Sequence, residues 1–133
     1  VALLNMQNAP ATLSVLALTT LARTQASDLL QMPEARATLR EAMQEVYNVG
    51  TANGVAMDAD IVERHYNFAL TLKPGVKTSM HLDLEAGKRL EIDALSGAVV
   101  RFGAANASRV STPVHQTIYV ALKMEDERAK RKA

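Results

Sequence analysis

Ser79 and Glu91, twelve positions apart, are the two side chains whose types and spacing could do chemistry together. They lie in the stretch Thr78 to Phe102, which reads as two short helical segments with a joint near Gly87. Ser79 opens the first segment and Glu91 opens the second. A hydroxyl and a carboxylate at neighbouring helix starts can face one cleft, where free backbone N–H groups favour an anion. Each residue also has a plainer use. A serine there caps a helix, and a glutamate in a first turn faces the helix dipole. On spacing alone the plainer uses are favoured.

Other chemistry is sparse. His65, His81 and His115 fall on different elements, with no i, i+4 pair and no acid at metal-motif spacing. Gly50-Thr-Ala-Asn-Gly54 lacks the Lys-Ser/Thr pair of a phosphate loop and has no strand before it. No Gly-x-Ser-x-Gly occurs. There is no cysteine, which excludes disulfides and thiolate chemistry and fits a reducing, cytoplasmic setting. The basic residues Arg128 to Lys132 follow Glu125, Asp126 and Glu127, so the tail reads as a solvated, fraying helix end rather than a nucleic-acid patch.

The elements that must position these residues are helical. From Val1 to Met32 the only charges are Arg23 and Asp28, and Leu3, Leu4, Leu13, Leu16, Leu18 and Leu21 spread all round a helical wheel. A helix apolar on every side is buried, so this one is expected at the centre of the fold, with Pro10 starting or kinking it. Met32-Pro33-Glu34 starts the next helix, with Ala35, Leu39, Ala42, Met43, Val46 and Gly50 on its inner face and Gly54 ending it. Asp58 or Asp60 is expected to cap a third, with Ile61, Val62, His65, Phe68, Ala69 and Leu72 as its apolar face. Lys73-Pro74-Gly75 breaks the chain. Leu95, Val99 and Phe102 mark the inner side of the helix opened by Glu91, and Gly97 and Ala98 permit close approach. Thr112-Pro113 starts the last helix, with Val114, Ile118, Ala121 and Leu122 inward. No strand pattern and no internal repeat appears. The expected fold class is all-α, a bundle of five to seven helices.

The 133 residues suffice for one domain with a core and are too few for two ordinary ones. A net charge of +1 implies no polyanion partner, and 4% aromatics leave little for base stacking. The weakly polar run from Ala9 to Ala22 is too short and too polar to span a membrane.

The organising stretch also resembles a family. Ser-Met-x-x-Asp-Leu-x-x-Gly from Ser79, then Arg-Leu-Glu-Ile-Asp-x-Leu-Ser-Gly-Ala-Val-Val from Arg89, looks like the C-terminal helical domain of ketopantoate reductases (2-dehydropantoate 2-reductases). The likeness continues through Thr112-Pro113 and more loosely back to about Arg23. It implies a substrate-binding and dimerisation domain over 1–133, homodimer formation, and a partner Rossmann domain that binds NADPH and is absent from this chain. The implied reaction is reduction of the ketone of a 2-oxo acid. In that pattern Glu91 matches the catalytic glutamate, which orients the substrate hydroxyl, and Ser79 matches the substrate-binding serine. The family's catalytic lysine has no counterpart, since the first lysine is Lys73. Aligning on Leu21-Ala22-Arg23 puts Asn8 in its place, and aligning on Leu3-Leu4-Asn5 puts Val1 there. Asn8 could hydrogen-bond a substrate but not protonate it. The chain alone is therefore expected neither to bind NADPH tightly nor to reduce ketopantoate. It is either the helical part of a longer enzyme or an inactive dimerisation and binding module derived from one.

Overall fold

A computed structural model of the protein describes residues 9–105, 107 and 109–132. Among them are seven helices and no strand. The helices are α1 (Ala9–Ala22), α2 (Ala26–Leu29), α3 (Pro33–Ala52), α4 (Ile61–Ala69), α5 (Ser79–Glu85), α6 (Ser96–Ala105) and α7 (Pro113–Lys132). The all-α bundle expected from the sequence is the fold observed.

Helix α1 is the axis, and it packs against every other helix. Leu13, Ala17 and Leu18 are all buried although they point in different directions around it. Its buried hydroxyls do not oppose this. Thr19 Oγ1 donates to the Val15 carbonyl at 2.7 Å and Thr20 Oγ1 to the Leu16 carbonyl at 2.6 Å, so each is satisfied within the helix. The next layer is α3, with Pro33 at its first position and Met32 before it. Ala35, Leu39, Ala42, Met43, Val46 and Gly50 form its buried stripe, as the periodicity predicts.

Three helices end in one motif. Gly54 after α3 (φ 83°) and Gly87 after α5 (φ 71°) take the left-handed conformation that closes a helix with two reversed hydrogen bonds. Arg23 after α1 does the same at φ 55°, with its N–H bonded to the Thr20 carbonyl and that of Thr24 to the Thr19 carbonyl, both at 3.2 Å. Arginine there lacks the freedom that makes glycine the usual choice.

Several local expectations are corrected. Glu91 does not open a helix. It lies in an irregular segment, residues 92–95 form a turn, and α6 starts only at Ser96. Leu90 (6% exposed) and Ile92 (0%), on either side of Glu91, are both packed in the core. Asp60 makes no side-chain cap to α4. Asp58 and Asp60 instead hold Arg64, at 2.9 and 3.1 Å, because its guanidinium competes for the same oxygens. Residues beyond Lys123 do not read as a fraying end either, since α7 continues to Lys132 and buries Asp126.

The small residues of α6 set its packing distance. A Cβ on Gly103 would stand 2.8 Å from the Val110 carbonyl oxygen and 3.2 Å from Thr112 Cγ2. Backbone cannot step aside as a flexible side chain can, so Gly103→Ala is expected to lower stability by about 2 kcal/mol. Urea unfolding of the variant checks this, and an unchanged midpoint would mean that the 103–110 connection yields freely.

Candidate functional site

The polar framework that holds the bundle is built from residues far apart in the chain. Glu45, buried on α3, accepts the N–H of Val114 through Oε2 at 2.8 Å and that of His115 through Oε1 at 2.9 Å. It thus supplies a carboxylate to the N-terminus of α7. Burial raises its pKa, opposed by those two N–H bonds. His115 is fully buried, with Nε2 3.0 Å from the Ala42 carbonyl and Nδ1 3.1 Å from Ser96 Oγ. A carbonyl can only accept, so Nε2 carries the proton and Nδ1 accepts from the serine. Burial pushes the His115 pKa down to about 4. Asp126 binds Arg89 Nε at 2.7 Å and Nη2 at 2.9 Å and accepts the Leu90 N–H at 2.8 Å. Those bonds, Arg89 first, hold its pKa down to about 2. Arg89 therefore pairs with α7, while Glu85 pairs with Lys77 at 3.0 Å.

A cleft of 320 Å³ opens between α1, the end of α4 and the start of α5. Ala11, Thr12, Val15 and Leu16 form one wall, Phe68 and Leu72 another, and Thr78 and Ser79 the third. Thr78, not Ser79, caps α5, because its side chain accepts the His81 N–H at 3.3 Å. Ser79 is thereby released from capping, and its exposed hydroxyl has no protein partner among the described residues. Phe68, expected on the core face of α4, is 61% exposed and stands at the cleft wall instead. Beside it, His65 Nδ1 accepts the Ala11 N–H at 3.1 Å and ties α4 to the first turn of α1. Burial, and secondarily Arg64, lowers the His65 pKa, which keeps that nitrogen an acceptor.

Of the other two candidates, only Glu91 has a described position, and it stands apart from this wall. Glu91 is exposed on the segment leading into α6 and is not among the residues that line this cleft. Its carboxylate makes no hydrogen bond or ion pair among the described residues. Asn8 lies outside the described residues, as do Val1, Leu3 and Leu4. The cleft as described holds no charged side chain. It can seat an apolar group and offer the hydroxyls of Thr12 and Ser79, but none of its lining side chains is a proton donor of the strength that carbonyl reduction requires. Among the described residues no group of histidines and acids could hold a metal ion, and no helix is long and apolar enough to cross a membrane.

Sequence periodicity overlooks Glu45, His115 and Asp126 as organising residues. Only the Asp126 position carries a signal, an acid one turn beyond core Leu122 on the same helical face.

The chain is 33% identical over 98 residues to the 2-dehydropantoate 2-reductase of Pyrobaculum aerophilum, an alignment covering 74% of this chain and 34% of that protein. It therefore spans about a third of the length of the curated relatives it matches. The crystal structure of 2-dehydropantoate 2-reductase from Methylococcus capsulatus superposes with a TM-score of 0.83 at 30% identity, over 96% of this chain and 40% of that one. A dimeric ketopantoate reductase from Staphylococcus aureus matches in fold, with a TM-score of 0.84 at 22% identity, over 93% of this chain and 43% of that one. Residues 5–126 match the family described as "Ketopantoate reductase PanE/ApbA C terminal", so that the α1-centred bundle and the Ser79 motif have one explanation: this chain belongs to the C-terminal domain family of the ketopantoate reductases.

Proposed function

We propose that this chain is the substrate-side helical domain of an NADPH-dependent reductase acting on a 2-oxo acid such as 2-dehydropantoate. The observation that carries this reading is the free Ser79 hydroxyl on the cleft beside α1, in a chain that matches the family over residues 5–126. Ser79 and Asn8 bind the substrate by hydrogen bonds, and Glu91 orients the substrate hydroxyl in the reacting complex. The chain's own residues do not fit a dinucleotide. Among the described residues no strand leads into a glycine-rich turn before a helix, the arrangement that cradles a pyrophosphate. The nicotinamide site is therefore assigned to a separate Rossmann domain, and no step is assigned to it here. Two copies pair as a homodimer, the state named for the Staphylococcus aureus relative.

A second reading is an inactive dimerisation and binding module of the same descent. The absence of any lysine before Lys73 favours it, because neither Asn8 nor Val1 can protonate an alkoxide.

In the reductase that carries this domain, Glu91→Gln is expected to lower kcat/KM for 2-dehydropantoate by about 100-fold or more. Ser79→Ala should raise KM about 10-fold with a smaller effect on kcat. The 133-residue chain alone should give no saturable fluorescence change with micromolar NADPH. Full activity in Glu91→Gln would sink the catalytic assignment, and micromolar NADPH binding by the chain alone would sink the division of labour.

A further inference from the structure

A second concavity, of 130 Å³, opens at the end of the bundle where α1 and α5 finish and the last turns of α7 run past them. Four cations reach it from three elements: Arg23 from the end of α1, Lys88 from the end of α5, and Arg128 and Lys132 from α7. One carboxylate faces them. Glu125 is shared between Arg23 at 3.2 Å and Arg128 at 2.5 Å. Lys88 and Lys132 have no ion pair among the described residues. The carbonyl ends of α1, α5 and α7 offset some of this charge, at about half a negative unit each, and an excess of positive charge remains. The whole protein carries a net charge of only +1, so the excess is a local concentration and not a general property of the surface.

The arrangement is held against local cost. Arg128 and Lys132 are spaced i, i+4, where like charges repel. Arg23 occupies the left-handed position that glycine fills at the matching end of α5, and both residues line this concavity. At Gly87 the motif closes without strain; at Arg23 the same motif closes with a side chain that the backbone disfavours. What arginine adds is a planar, permanently charged fork at the rim, the group suited to paired phosphate oxygens.

We propose that this concavity is a binding site for a small soluble compound carrying a phosphate or diphosphate group, separate from the Ser79 cleft. The two arginines grip phosphate oxygens in pairs, Lys88 and Lys132 close over the remainder, and Glu125 is displaced from one arginine as the anion enters. The backbone N–H groups at the α5 end are occupied by the reversed hydrogen bonds of the helix cap, so the side chains supply the recognition.

Thermal unfolding of the 133-residue chain in about 5 mM pyrophosphate, against sodium chloride of the same ionic strength, tests the proposal. The melting temperature should rise by about 3 °C or more with pyrophosphate, and by less with inorganic phosphate. Arg23→Gly should keep its resting melting temperature, because relief of the backbone offsets the lost Glu125 pair, yet lose most of the response to pyrophosphate. Lys88→Gln/Lys132→Gln changes only exposed side chains and should also lose it. No rise beyond that with chloride, or an equal rise in both variants, overturns the proposal. Co-sedimentation with vesicles containing phosphatidic acid, abolished by the same variants, would assign the site to a lipid headgroup and overturn the soluble ligand.

Discussion

Replacing Asp126 with alanine is expected to lower the unfolding free energy by about 3 kcal/mol, the cost of leaving the buried Leu90 N–H without an acceptor and of breaking a two-pronged charged contact. Asp126 is 1% exposed, while the Arg89 side chain is 52% exposed. The arginine can therefore turn to water, and the loss falls short of the largest values seen for a fully buried pair. Asp126→Asn keeps an acceptor for Leu90 and should lose about half as much. The two variants together separate the backbone bond from the charge. The native carboxyl, held at about 2, titrates below its unfolded range near 4. Its contribution is therefore present above about pH 4 and is lost as pH falls through 2. Urea unfolding at pH 7 measures both variants, and a loss below about 1 kcal/mol in Asp126→Ala would show that water replaces the aspartate freely.

His115 should make the bundle sensitive to acid well above the range in which carboxylates titrate. Its folded pKa is about 4 against 6.5 for an unperturbed imidazole, so the unfolded chain takes up a proton first. Stability from this residue is complete above pH 6.5 and declines as pH falls toward 4, by about 3 kcal/mol over the interval. Glu45 acts with the opposite sign. Its raised pKa contributes stability at low pH that is lost as pH rises through the folded value, so it offsets the last part of the decline. Urea midpoints from pH 7.5 to 4.5 should drop steadily, and His115→Asn, less stable at pH 7, should show a much flatter profile. A flat profile in the unmodified protein would mean that the site admits the proton, with Nδ1 donating to Ser96 and the helices adjusting.

The parts of the fold that were legible are those written in local periodicity. The all-round apolarity of α1, the Pro33 start and inner stripe of α3, and the glycine stops at 54 and 87 each follow from residues within one or two turns of one another. What was not legible depends on partners far away in sequence. Glu45 reads as one polar residue among several on α3, and only docking of α7 makes it a cap. Arg89 stands four residues after Glu85 with Gly87 between them, so its neighbours in sequence name no partner, and only the path of α7 brings Asp126 to it. The start of α6 is not readable because Glu91 suits a first turn, while the packing of Leu90 and Ile92 that holds this segment in the core is a tertiary fact. At the cleft, the identity of Ser79 was readable from its motif, but its availability was not. That depends on Thr78 taking the cap, although serine is the slightly better capping residue of the two.

The central position of α1 also has a consequence for how the chain is made. The ribosome produces this helix before the six that cover it, and some 90 residues separate its end at Ala22 from the start of α7 at Pro113. At typical synthesis rates of about 5–20 residues per second, its apolar surface waits on the order of ten seconds for its last neighbour. During that interval an uncharged helix with leucines on several sides is a natural target for holding chaperones at the exit tunnel. A chain released before α7 is complete would expose the same surface to other nascent chains.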